Sequence, residues 1–146
     1  MFRIDLIEWD QAQPIAGPIR FAIFVDEQNV PPGIELDEID AKCLHAIAYD
    51  PEGKAIGTGR LLPDGHIGRM AVVKDWRRQG VGADILEALV AEAARRGHAE
   101  VVLSAQLQAA EFYCSHGFVA EGKVYQEAGI LHQAMRRVLG TVKPAA

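Results

Sequence analysis

The chain has 146 residues, 49% hydrophobic and 24% charged, enough to bury a full core without disulfide or metal staples. A net charge of −5 argues against a general nucleic-acid or membrane-surface binder, which carries a basic excess. Two cysteines, Cys43 and Cys114, form no disulfide framework and no CxxC spacing, and no apolar run follows Met1. A cytoplasmic protein with reduced thiols is expected.

Phe2 to Trp9 reads as a strand, with charges at Arg3, Asp5 and Glu8 between apolar residues. Pro14 to Gln28 has helical spacing (Ile19, Ala22, Ile23, Val25), interrupted early by Gly17-Pro18. Asn29 to Lys42 carries Pro31-Pro32-Gly33 and many carboxylates, as an ordered loop would. Three strands follow, Leu44 to Tyr49, Ala55 to Leu62 and Ile67 to Val73, separated by turns at Asp50-Pro51-Glu52-Gly53 and Pro63-Asp64-Gly65. They predict an antiparallel meander.

From Gly80 a helix repeats Val81, Ile85, Leu86, Leu89, Val90 and Ala93 on one stripe and closes at Arg95-Arg96-Gly97. Val101 to Ser104 is a short buried strand. Gln108 to His116 is a helix stopped by Gly117, and Phe118 to Tyr125 and His132 to Leu139 are the last strands. The order β-α-β-β-β-α-β-α-β-β predicts an α/β sheet of mixed direction in a single domain over residues 1–140, with a short tail over 141–146.

Arg77-Arg78-Gln79-Gly80-Val81-Gly82 lies where a strand hands over to a helix. Glycines without a Cβ let backbone N–H groups approach an anion, and the helix they open adds unpaired donors and a partial positive charge. Lys74, Arg77 and Arg78 could add contacts to outer phosphates. A plain strand-to-helix turn with solvated arginines explains the spacing equally well. The P-loop is excluded because Ala83-Asp84 follows Gly82, and the dinucleotide fingerprint fits poorly because Ile85 replaces a third glycine and the preceding strands form a meander.

The whole stretch "MAVVKDWRRQGVGADILEAL" resembles motif A of the GCN5-related N-acetyltransferases, the GNAT superfamily, whose signature is Gln/Arg-x-x-Gly-x-Gly/Ala. "FYCSHGF" follows in family order, and "RFAIFVDEQNVPPGIELDEIDAKCLHAIAY" is similar to the ElaA-like subgroup, so the resemblance spans roughly residues 2–139. It implies a mostly antiparallel sheet splayed at the cofactor site and flanked by helices. It implies too that Met70, Ala71 and Val72 offer backbone groups to the acetyl carbonyl and pantetheine of acetyl-CoA. Arg77, Arg78, Gln79, Gly80, Val81, Gly82 and Ala83 would wrap the pyrophosphate. No metal is implied.

Acetyl transfer to an amine needs a neutral nucleophile. An alkylamine of pKa about 10.4 costs roughly 4–5 kcal/mol to deprotonate at pH 7. Tyr113 stands four residues before Gly117-Phe118, where the family commonly places a tyrosine near the sulfur, and is the candidate to assist the leaving thiolate. An amphipathic tyrosine anchoring its helix is the alternative. For the base, Asp26, Glu27, Glu35, Asp37, Glu38 and Asp40 crowd one segment before His45. Glu27 is the best single candidate because it follows the apolar Phe21, Phe24 and Val25 and precedes a Pro-rich loop, at what would be a pocket rim. Glu35, Asp37, Asp40 and His45 are candidate acceptor contacts, although acid runs are usually solvated.

His132, in a Gly-Ile-x-His pattern that the subgroup shares, is either an acid/base group or a structural hydrogen bonder. A covalent route through Cys114 has no visible base or orienting acid to support it. The expected activity is direct acetyl transfer from acetyl-CoA to a primary amine, on a small molecule or a protein; a non-catalytic acyl-CoA-sensing module is the alternative. An edge strand at either end of the sheet could pair two chains into a homodimer.

Overall fold

The computed structural model describes residues 2–31 and 38–140. The tail over 141–146 and the candidates Glu35 and Asp37 lie outside the described residues. Seven strands are described: β1 (Arg3–Glu8), β2 (Leu44–Tyr49), β3 (Ala55–Leu61), β4 (His66–Val72), β5 (Glu100–Gln106), β6 (Val119–Glu127) and β7 (Ile130–Val138). They form one sheet in the order β1-β2-β3-β4-β5-β7-β6. Every neighbouring pair is antiparallel except β4–β5, so the expected mixed, mostly antiparallel α/β sheet is what the chain builds.

Helices α1 (Trp9–Arg20), α2 (Val81–Arg95) and α3 (Ala110–Ser115) flank the sheet. The alternation of β2 shows how. Ile47 packs with Ala12 and Ala16 of α1, whereas its neighbours Ala46 and Ala48 join the core under α2. Successive strand residues face opposite sides, so α1 and α2 cover opposite faces and β2 is buried on both. The apolar stripe of α2 (Val81, Ile85, Leu86, Leu89, Val90, Ala93) is entirely buried. Its close approach depends on Gly57 and Gly59 of β3. A Cβ on Gly59 would stand 2.7 Å from Met70 Sδ and 2.9 Å from Ile85 Cγ2, and one on Gly57 would stand 2.8 Å from Ile85 Cδ1.

The first helix departs from expectation. It starts at Trp9 rather than Pro14, and Gly17-Pro18 does not interrupt it. It then widens into a π-helical segment, Phe21–Glu27. Such widened turns recur at functional sites. Its exit is closed by Gln28 N–H to Ile23 O (3.1 Å) and Val30 N–H to Phe24 O (2.8 Å). No helix among the described residues is long and apolar enough to cross a membrane.

Candidate functional site

The sheet comes apart in its middle. β4 and β5 pair only at His66↔Val102 and Ile67↔Leu103, and beyond that they diverge. On its other side β4 stays on β3, but the register jumps from Arg60↔Gly68 to Thr58↔Ala71, so Arg69 and Met70 oppose Gly59 alone. Arg69 is the bulged residue, with φ 48°. The result is a cleft of about 660 Å³ whose walls include Met70, Ala71 and Val72 from β4 and Leu103, Ser104 and Gln106 from β5. That volume suits a small-molecule ligand. From Gly68 onward the β5-facing edge of β4 has no strand ladder there, and an amide-bearing ligand arm can take that place.

Past the end of β4 the chain makes a 3₁₀ turn, Lys74–Trp76, and reaches the glycine turn. Arg78 (φ 63°) and Gly80 (φ 91°) are both left-handed. Gly80 is the N-cap of α2 and makes no side-chain cap; the first helical bond is Asp84 N–H to Gly80 O at 3.0 Å. The N–H groups of Val81, Gly82 and Ala83 therefore lead the helix, where an anion is favoured. A Cβ on Gly82 would meet only Phe112 at 3.6 Å and Val72 at 3.8 Å, ordinary contacts, so protein packing does not require that glycine.

Arg77 and Glu27, expected as phosphate contact and base, are brought together. Arg77 Nη2 donates to both Glu27 oxygens at 2.8 and 3.0 Å, and its Nε donates to Val72 O at 2.9 Å. Arg77 lines the cleft; of the first helix's exit, Gln28 rather than Glu27 does so. Gln28 also reaches the far wall, its Oε1 accepting from Gln106 Nε2 at 2.6 Å. The first helix thus ties the end of β4 to β5 across the opening.

Tyr113 lines the cleft from α3, 8% exposed and edge-on to Phe112 and Phe118. Burial pushes its phenol up to about 12.

Asp40 and His45 lie elsewhere than the acceptor role requires. Asp40 is 1% exposed and holds Arg20 in a two-pronged pair (2.9 and 3.0 Å) and Arg60 at 2.8 Å. Burial alone would raise its carboxyl, but the two guanidinium groups bring it below the ordinary value. His45, also 1% exposed, donates from Nε2 to Asp40 O at 2.9 Å and stacks near Trp9. Burial lowers its pKa, against the pull of the Asp40 carbonyl. Neither residue lines the cleft; they brace Arg60, which does. The alternation of β2, buried from His45 to Ala48, turns His45 inward.

His132 does line the cleft, on the hairpin of β6 and β7. Glu127-Ala128-Gly129-Ile130 is a two-residue turn with φ 52° at Ala128 and 77° at Gly129, the twist that fits a hairpin. The resulting register pairs Glu127↔Ile130 and Tyr125↔His132, so all four share one sheet face. Tyr125 stacks on His132 at 6.0 Å and hydrogen-bonds Ser104 across the small Ala134. Sequence reasoning missed Gln28, Arg60, Gln106 and Glu127 among the lining residues. Only Glu127 left a signal: Ala128-Gly129 between two apolar runs marks a tight hairpin and would have paired it with the His132 strand.

The comparisons with known proteins agree with this geometry. Residues 24–139 match the family model of the acetyltransferase (GNAT) domain. YjcF of Bacillus subtilis strain 168, named an uncharacterized N-acetyltransferase, is 41% identical over 123 residues, covering 82% of this chain and 87% of that one. An acyl-CoA N-acyltransferase from Pseudomonas aeruginosa superposes with a TM-score of 0.83 at 29% identity, covering 94% of this chain and 100% of that one. ElaA of Escherichia coli superposes with a TM-score of 0.82 at 25% identity, covering 94% and 99%. The opened sheet, the glycine turn and Tyr113 all fall inside the matched region, and the chain belongs to the GNAT family of acetyltransferases.

Proposed function

We propose that this protein transfers an acetyl group from acetyl-CoA to a primary amine by direct attack, without an acyl-enzyme intermediate. One observation carries the reading: the cleft between β4 and β5 runs from an open strand edge to Arg77, just before the uncapped start of α2. That sequence of donors suits a ligand with an acyl carbonyl and amides at one end and a pyrophosphate at the other. The family's description as acetyltransferases supports acetyl as the group carried.

The bound ammonium must first lose a proton. Its nitrogen then attacks the thioester carbon, a backbone N–H at Ala71 or Val72 stabilises the oxyanion by a few kcal/mol, and the C–S bond breaks. Tyr113 meets the departing sulfur. Burial holds the phenol at about 12, which suits it to donate a hydrogen bond to the departing sulfur. Glu27 acts through Arg77, holding the guanidinium at the end of β4 for the phosphates, together with Arg78, Gln79 and the N–H groups of Gly80 to Ala83.

Thiol release from acetyl-CoA across a panel of amines tests this. Turnover with at least one amine is expected, and Tyr113→Phe should lower kcat about 10–100-fold, the worth of one hydrogen bond to a charged group. The variant should keep the rise in Tm that acetyl-CoA produces. Silence across the panel alongside a clear Tm rise would leave a binding module without turnover and overturn the reading.

A further inference from the structure

Resting on the acyl-transfer reading above, we propose that His132 takes the proton from the acceptor amine, with Glu127 stabilising the imidazolium that forms. His132 Nδ1 lies 2.7 Å from the backbone oxygen of Ile130. A carbonyl only accepts, so Nδ1 carries the hydrogen and the neutral ring presents Nε2 as a lone pair. Nε2 lies 3.7 Å from Glu127 Oε2. Both residues line the cleft.

The carboxylate lies beside the nitrogen that takes the proton and favours the charged ring by direct attraction. On taking a proton at Nε2, the imidazole becomes a cation that donates from Nδ1 to Ile130 O and faces the Glu127 carboxylate. The amine loses its first ammonium proton to Nε2, and its freed lone pair forms the C–N bond. The second nitrogen proton passes after attack to the departing thiolate, so the products are the amide, the free thiol and a protonated His132 that returns its proton to solvent.

Among the described residues, these groups stand against His132 or share the cleft with it. From β6 come Glu127 and the Tyr125 ring, from β5 the uncharged Gln106 opposite it, and the facing wall carries Arg60, His66 and Arg69. The hairpin fixes the pair: Ala128, a residue with a Cβ, is held at φ 52° to bring Glu127 and His132 to one face.

The experiment is a pH series of kcat/KM for His132→Gln and Glu127→Gln against the wild-type protein, with an acetylated amine identified by thiol release. Acetyl-CoA binding is followed separately by Tm. A base is needed only while the amine is an ammonium, so the His132→Gln deficit should be about 100-fold or more at pH 7 and shrink steadily towards pH 9.5. Glu127→Gln should show a smaller deficit with the same trend, and both variants should keep the acetyl-CoA Tm rise. A deficit constant across pH, no deficit, or a deficit that tracks loss of the Tm rise would overturn the assignment. Should the wild-type protein release no thiol with any amine, the acyl-transfer reading would fall and this assignment with it. Wild-type turnover with an unimpaired His132→Gln would remove the assignment alone.

Discussion

Asp40 shows how a residue that reads as a surface acid is consumed by the interior. At 1% exposure it offsets charge from both Arg20 and Arg60. Removing its charge takes from Arg20 a two-pronged buried partner and from Arg60 a buried carboxylate, so Asp40→Asn should destabilise by about 3–5 kcal/mol, measured by denaturant unfolding at pH 7. The same cluster sets the acid limit. His45 has a folded pKa below the ordinary 6.5, so its contribution is fully present above that value and is lost as pH falls through the lower one. Asp40, held below 3.8, behaves alike at lower pH. Stability should therefore begin to fall below about pH 6.5, and His45→Gln should flatten that first step while lowering stability overall. None of this was legible in the sequence. The segment from Asp26 to His45 shows a run of carboxylates, but which of them meets an arginine depends on β3 lying beside β2, a long-range pairing.

At the level of elements, the glycine face of β3 does more than relieve crowding. Gly57 and Gly59 let α2 sit close on the sheet, which brings the helix start against the end of β4. Gly59→Ala would press on Met70 and the branched Ile85, neighbours that must shift. It should cost about 1–3 kcal/mol and raise KM for acetyl-CoA more than it changes kcat, because Met70 lines the cleft. The seven strands and the amphipathic α2 were visible in the sequence because alternation and the 3.6-residue stripe are local signals. The start of α1 was not visible, since Glu8 supplies no side-chain cap and Pro14 with Pro18 reads as a break. Tertiary packing of Ala12, Ala16 and Ile19 holds that helix through both prolines.

Across the whole molecule, two half-sheets meet at a ladder of only two residue pairs, β4 with β5, and the first helix braces them through Glu27–Arg77 and Gln28–Gln106. A ligand in the gap should join the halves. Acetyl-CoA at 100 times its Kd should stabilise by about 2.7 kcal/mol. Hydrogen exchange should slow most at residues 68–72 and 77–83; protection elsewhere, with those segments unchanged, would count against the cleft as the binding place. The strands, the amphipathic α2, their order and the glycine turn were readable from the chain alone. Strand alternation, helix stripe and the glycine turn are each contiguous stretches of chain, and their chemistry travels with them. The remainder came from long-range pairing. Pairing across the sheet buried His45 and Asp40, tied Glu27 to Arg77, and put Glu127 beside His132 on the open face, because a side chain's burial and partners belong to neighbours distant in sequence.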